Sequence, residues 1–168
     1  FQNVCNEGIL SREPTRGIRI MILDVELHED PAHRTYAQMF PATRRAINGS
    51  ILTAAPAIYE PIMKIVVQIT PDYMGAISSV ISSKRGAVVA VDQRDYFTVV
   101  TGEIPLSETF DLSQVLRGAT AGKAFWNLVF GKWRLLPKSL RTETIQSIRK
   151  RNGLSENIPN ANDFRPLM

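Results

Sequence analysis

Between residues 62 and 133 the spacing of apolar residues changes in a fixed order, and that order restricts the fold more than any other feature. Met63, Ile65, Val67 and Ile69 alternate with Ile62, Lys64, Val66 and Gln68, a period of two that predicts a strand. Thr70-Pro71-Asp72 then opens a helix: Thr70 is placed to cap and Pro71 suits the first helical position. Tyr73, Ile77, Val80 and Ile81 form the helix's apolar stripe, and Gly86 supplies its stop. Residues 87–91 read as a short strand, 92–95 as a turn and 96–104 as another strand. Asp111 and Gln114 have capping-box spacing ahead of Leu112, Val115, Leu116 and Ala119; residues 120–122 break that helix, and 123–133 form an aromatic-rich strand. Strand, helix, strand, strand, helix, strand predicts an α+β unit of the ferredoxin-like βαββαβ type, two helices covering one face of a four-stranded antiparallel sheet.

The rest of the chain is less regular. Residues 1–16 are irregular and polar. Residues 18–28 read as a strand, apolar on both faces at Ile20-Met21-Ile22-Leu23 and alternating from Leu23 to His28. A helix follows from about Pro41 to Ala54, with Pro41 in its first turn; Gly49 weakens it by about 1 kcal/mol relative to alanine unless close packing needs it. One strand and one helix bury too little surface to stand alone, so residues 1–57 look like part of a domain. After the ferredoxin-like unit (58–138), an amphipathic helix is expected near residues 139–152, with Leu140, Ile145 and Ile148 inward and Arg149-Lys150-Arg151 at its negative end. Residues 155–168 read as a loose tail.

Composition narrows the function. The single cysteine, Cys5, rules out a disulfide framework and a thiolate metal cage. No apolar run approaches the roughly 20 residues of a membrane-spanning helix, and no phosphate-binding P-loop, dinucleotide fingerprint or H-E-x-x-H pair occurs. Catalysis by this chain alone is not expected. His28 and His33, with Glu29 and Asp30 between them, lack a third metal ligand. The net charge of +4 gathers at Arg44-Arg45, Lys84-Arg85 and the C-terminal region, where a polyanion such as RNA would be attracted. Residues 28–38 are the candidate contact: Arg34 can pair with phosphate, and His33 and Tyr36 can stack on unpaired bases, giving a cationic, stacking tip. An ordinary polar loop in which Asp30 caps a turn is the alternative.

Asp24, Leu27-His28, Asp30, His33-Arg34, Gln38, Pro41 and Arg44-Arg45 resemble, in order and spacing, the tip of the fourth domain in the elongation factor 2 family of archaea and eukaryotes. The similarity continues through Glu60-Pro61, Lys84-Arg85-Gly86, Ser107-Glu108-Thr109-Phe110 and residues 117–125, and ends near Arg149-Lys150-Arg151-Asn152-Gly153-Leu154. The resemblance implies that residues 1–57 are the C-terminal part of that fourth domain, of the ribosomal-protein-S5-like fold. Residues 58–138 would be the fifth, ferredoxin-like domain, and residues 139–168 a helix and tail returning to the fourth.

It further implies cytoplasmic partners: the ribosome with its ribosomal RNA, tRNA and mRNA, and the remaining domains of the factor, among them a GTPase domain that holds GTP and Mg outside this sequence. No cofactor is expected in this chain. His33 would occupy the position converted to diphthamide, so diphthamide synthesis enzymes are further partners. RNA contacts would come from His28, Asp30, His33, Arg34, Tyr36, Gln38, Arg44, Arg45, Lys84 and Arg85. The family has glycine where Thr35 stands, a departure that predicts a differently shaped tip and an unmodified His33. The sequence begins at Phe1 and reads as a piece of something longer. Two other roles fit the residues: a paralogue serving ribosome maturation or splicing, and a freestanding ferredoxin-like sensor using the Lys64 and Gln68 face.

Overall fold

The computed structural model describes residues 1–165, with elements in the order α1 (Gln2–Asn6), α2 (Tyr36–Thr53), β1 (Tyr59–Ile69), α3 (Met74–Ser83), β2 (Ala87–Gln93), β3 (Thr98–Pro105), α4 (Leu112–Thr120), β4 (Phe125–Leu135) and α5 (Lys138–Arg151). They form two compact units, one of Tyr59–Leu136 and the other of Phe1–Ile58 together with the chain from Pro137.

In the Tyr59–Leu136 unit the alternation does what its period requires. β1 lies inside the sheet, antiparallel to β3 on one side and β4 on the other, and the strand order β2-β3-β1-β4 is that of the ferredoxin-like fold. Ile65, Val67 and Ile69 meet Val100 and Ile104 of β3, Ile77, Val80 and Ile81 of α3, and Leu112 and Leu116 of α4 in one buried core, with Met63 packed beside it. Each such side chain contributes about 1.5–3 kcal/mol when fully buried. Lys64 and Gln68 stay exposed on the other face.

Two punctuation marks act differently from their sequence reading. Thr70 makes no side-chain cap; Pro71 opens a single 3-10 turn (Pro71–Tyr73) before α3. Asp111 likewise makes no capping bond for α4, because its carboxylate is taken by the Lys84 ammonium, 2.6 Å from Oδ2. At the end of α3 the left-handed residue is Arg85 (φ 55°), not Gly86. Gly86 is required by close approach instead: a Cβ there would lie 2.6 Å from the Glu103 carbonyl oxygen and 2.7 Å from that of Ile81. Arg85 is held in its conformation by ion pairs to Glu108 (2.7 Å) and Glu60 (3.0 Å), and Glu60, 7% exposed, also receives Arg134 at 3.4 Å.

The other unit contains no strand among its described residues. The segment 18–28 pairs with no neighbouring strand; residues 21–30 are exposed throughout, with Leu23 at 90%. Ile18 and Ile20 alone turn inward, onto a small core of Val4, Ile47 and Ile51. α2 starts at Tyr36, five residues before Pro41, which lies inside the helix. The Thr35 carbonyl accepts the amides of Gln38 and Met39, and Tyr36 stacks on Phe40 one turn later at 5.2 Å, so the first turn closes without proline at its head. The tail is docked rather than loose. Asn160 and Asp163 form a capping box over a 3-10 turn (Ala161–Phe164). Arg45 donates to the carbonyls of Asp163 and Arg165 at 2.9 Å, and Phe164 sits 3.1 Å from where a Cβ on Gly49 would project. Residues 166–168 of the predicted tail lie outside the described residues.

Replacing Gly86 with alanine should destabilise the protein by about 1–3 kcal/mol, the usual penalty for forcing atoms into a filled space. Urea unfolding would read this as a lower midpoint at unchanged slope; an unshifted midpoint would mean that the α3–β2 junction has room to spare.

Candidate nucleic-acid interface

An exposed loop keeps one shape only if its own polar groups hold it. Residues 28–35 do so. Asp30 precedes a 3-10 turn (Pro31–His33), and its carboxylate accepts the Ala32 amide at 2.9 Å; its carbonyl accepts the His33 amide at 3.1 Å. His28 Nδ1 accepts the Asp30 amide at 3.1 Å, so His28 carries its ring proton on Nε2. Arg34 closes the base: Nε and an Nη donate to the carbonyls of His28 (2.5 Å) and Glu29 (2.8 Å). The two imidazoles lean together, centroids 4.5 Å apart and tilted by 53°, and the Gln38 amide nitrogen lies 3.4 Å from His33 Nδ1.

The structure therefore brings His28, Asp30, His33, Arg34 and Gln38 into one self-bonded loop. Tyr36 sits at its end, exposed but stacked on Phe40. Thr35 adopts φ −70° and ψ 157°, an extended conformation open to any residue, so this loop needs no glycine there.

Charge corrects the sequence reading. Residues 24–34 carry four carboxylates (Asp24, Glu26, Glu29, Asp30) against the single guanidinium of Arg34, so the tip is acidic, not cationic. The basic residues expected to compensate are engaged elsewhere. Arg44 pairs loosely with Glu7 at 3.5 Å, and Arg45 holds the tail with its guanidinium over the Phe164 ring. Lys84 and Arg85 belong to the other unit, where they serve Asp111 and the Glu60–Glu108 pair. The hydrogen bond from Lys84 holds the Asp111 carboxyl below its usual range, and the hydrogen bonds that Arg85 donates to Glu60 and Glu108 raise Arg85 above its own. Sequence reasoning missed the contacts that Arg149 and Asn152 make with residues 10 and 11, and the docked tail. A guanidinium that reaches back across some 140 residues leaves no local pattern.

Among the described residues no group of three His, Cys, Asp or Glu side chains is arranged to hold a metal ion, and no helix is long and apolar enough to cross a membrane.

Comparison with known proteins decides the family. A family model for elongation factor G, domain IV, matches residues 1–55, and one for the elongation factor G C-terminus matches residues 57–144. The chain belongs to the elongation factor G and elongation factor 2 family. It is 41% identical to elongation factor 2 of Pyrobaculum neutrophilum over 164 residues, 98% of this chain. It is 44% identical over the same length to that of Desulfurococcus mucosus and 42% identical to that of Sulfurisphaera tokodaii. The chain spans about 22% of the length of these relatives. The matched regions are the fourth and last domains of the factor, neither of which is the GTP-binding one, and the relatives carry the elongation factor's name rather than that of a maturation or splicing factor.

Two outcomes follow. Thr35→Gly should leave the chemical shifts of residues 28–34 nearly unchanged, because the native φ is already ordinary; wide shift changes would mean that Thr35 shapes the loop. Lys84→Gln should raise the titration midpoint of Asp111, followed by carboxyl-carbon NMR, towards the ordinary aspartate value. A carboxyl with a depressed native pKa adds stability above the ordinary aspartate range and loses it as pH falls through the native value, so the variant should also lose part of the acid dependence of unfolding. An unmoved midpoint would separate Asp111 from Lys84.

Proposed function

We propose that this chain is the ribosome-contacting C-terminal region of an elongation factor 2, which promotes GTP-dependent movement of tRNA and mRNA on the ribosome in the cytoplasm. In this reading the factor's GTPase domain holds GTP and Mg, and the present residues deliver the mechanical end. The loop 28–38 enters the decoding region, and the ferredoxin-like unit faces ribosomal RNA. The observation that carries the reading is the loop itself: a sequence shared in order with the family, fully exposed, yet fixed by its own hydrogen bonds.

A pre-shaped acidic loop contacts RNA by base edges and stacking rather than by phosphate attraction. The His28–His33 pair and Tyr36 supply flat rings, each worth about 1–3 kcal/mol per stacked base. His33 is exposed, so its ring is accessible to the enzymes that would convert it to diphthamide.

The chain should co-sediment with purified archaeal ribosomes and be displaced by full-length elongation factor 2 from Desulfurococcus. His28→Ala with His33→Ala should weaken binding by at least about thirtyfold, the equivalent of about 2 kcal/mol. Binding that full-length factor leaves undisturbed would contradict the reading. Intact-mass spectrometry of protein from its native host should show the added diphthamide mass on His33; an unmodified histidine would confine the role to a tip that works without it.

A further inference from the structure

An acidic tip leaves open which part of this region holds the RNA backbone. We infer that the turn at Arg12 and the last turn of α5 together form a second, electrostatic contact surface for the phosphate backbone of folded RNA. This inference rests on the ribosomal reading above.

The two segments are 140 residues apart and are locked together. Arg149, 8% exposed, donates through Nη1 to the Leu10 carbonyl (2.7 Å) and through Nε to that of Ser155 (2.6 Å); the Asn152 amide donates to the Ser11 carbonyl at 2.8 Å. Two consecutive carbonyls of the turn are thus gripped from α5, and the next residue is Arg12. Its backbone has φ 60°, a left-handed conformation that a side chain with a Cβ rarely adopts. Glycine or asparagine would fill that position at less cost, and the fold makes no visible use of the arginine. Among the described residues neither Arg12 nor Arg151 has a side-chain hydrogen bond or ion pair, and both are exposed.

Basic residues at a helix C-terminus are ordinarily explained by the helix dipole and the free carbonyls there. That explanation is weak for α5. Its last carbonyls are closed by the backbone: the Asn152 amide bonds to Ile148, that of Gly153 (φ 66°) to Lys150, and that of Leu154 to Arg149. Lys150 and Arg151 therefore remain unspent, and the 3.6 Å pair of Lys150 with Glu156 is loose and solvent-exposed on both sides (77% and 60%). Arg12, Lys150 and Arg151 flank the two gripped carbonyls, each within two residues of a clamping contact. Only Glu13 and Glu156 oppose them nearby in the sequence. Three exposed cations beside a tethered turn fit the polyanionic phosphate backbone.

The test is fluorescence anisotropy of the 168-residue chain with a labelled 20-base-pair RNA duplex across a salt series, beside the ribosome competition described above. Arg12→Gly suits the left-handed backbone, and Lys150→Gln and Arg151→Gln are surface changes, so the triple variant should fold; a circular dichroism melt checks this. It should bind the duplex at least about tenfold more weakly at 100 mM salt, with a logarithmic salt slope shallower by about 2–3. Arg12→Lys should retain binding, and the His28→Ala/His33→Ala variant should bind the duplex like the parent. A triple variant with unchanged affinity and slope overturns the surface and leaves the ribosomal reading standing. Duplex binding lost in the triple variant, with no competition on ribosomes, keeps the surface and removes that reading. Binding to phosphatidylserine vesicles but not to the duplex would overturn the assignment to RNA.

Discussion

Arg34 spends its guanidinium on the carbonyls of His28 and Glu29, and the shape of the tip depends on those two bonds. A loop with two carboxylates and two imidazoles in open solvent has every reason to spread. Carbonyl-directed hydrogen bonds from one planar, permanently charged group oppose that, because they fix the two chain ends relative to each other and leave the rings outside. Asp30 and His28 complete the closure by accepting amides within the turn. A histidine presented to a distant partner must be held from behind, and here the holding groups are nearest neighbours in sequence. The loop can thus carry its shape into a crowded particle without help from a sheet.

The same economy governs the ferredoxin-like unit. A buried carboxylate is costly unless it is paired, and Glu60 is paired twice, to Arg85 and Arg134. Through Glu108 and Asp111 the neighbouring pairs tie the α3–β2 turn to the start of α4 and to the 3-10 turn (Leu106–Glu108). Charges that suggest RNA when read from the sequence are therefore largely internal fasteners. Arg12, Lys150 and Arg151 are not among those fasteners; they are exposed, in the unit that carries the acidic tip.

What the sequence discloses follows from the range over which each signal acts. Alternation in β1 and the stripe in α3 are local and correlate with burial, so the sheet, its helices and most of the core are legible. The motif from Asp24 to Arg45 is legible as a family resemblance, and the two domain matches agree with it. Residues 18–28 have a strand's composition, but a strand exists only with a partner, and none of the described residues provides one. Pro41 suggests a helix start on propensity alone; the Thr35 carbonyl and the Tyr36–Phe40 stack begin the helix earlier. Asp111 has the spacing of a cap and the surroundings of a salt bridge, and the ammonium prevails. The Arg45 and Arg149 contacts span more than a hundred residues, and no periodicity reports them.

Stacking on RNA without a refolding cost requires a tip that is rigid before it meets its partner. Amide nitrogen relaxation of residues 28–34 in the free chain measures this directly. Order parameters near 0.85, falling below 0.6 when Arg34 is replaced by lysine, are the predicted result. Values already below 0.6 in the parent chain would contradict it.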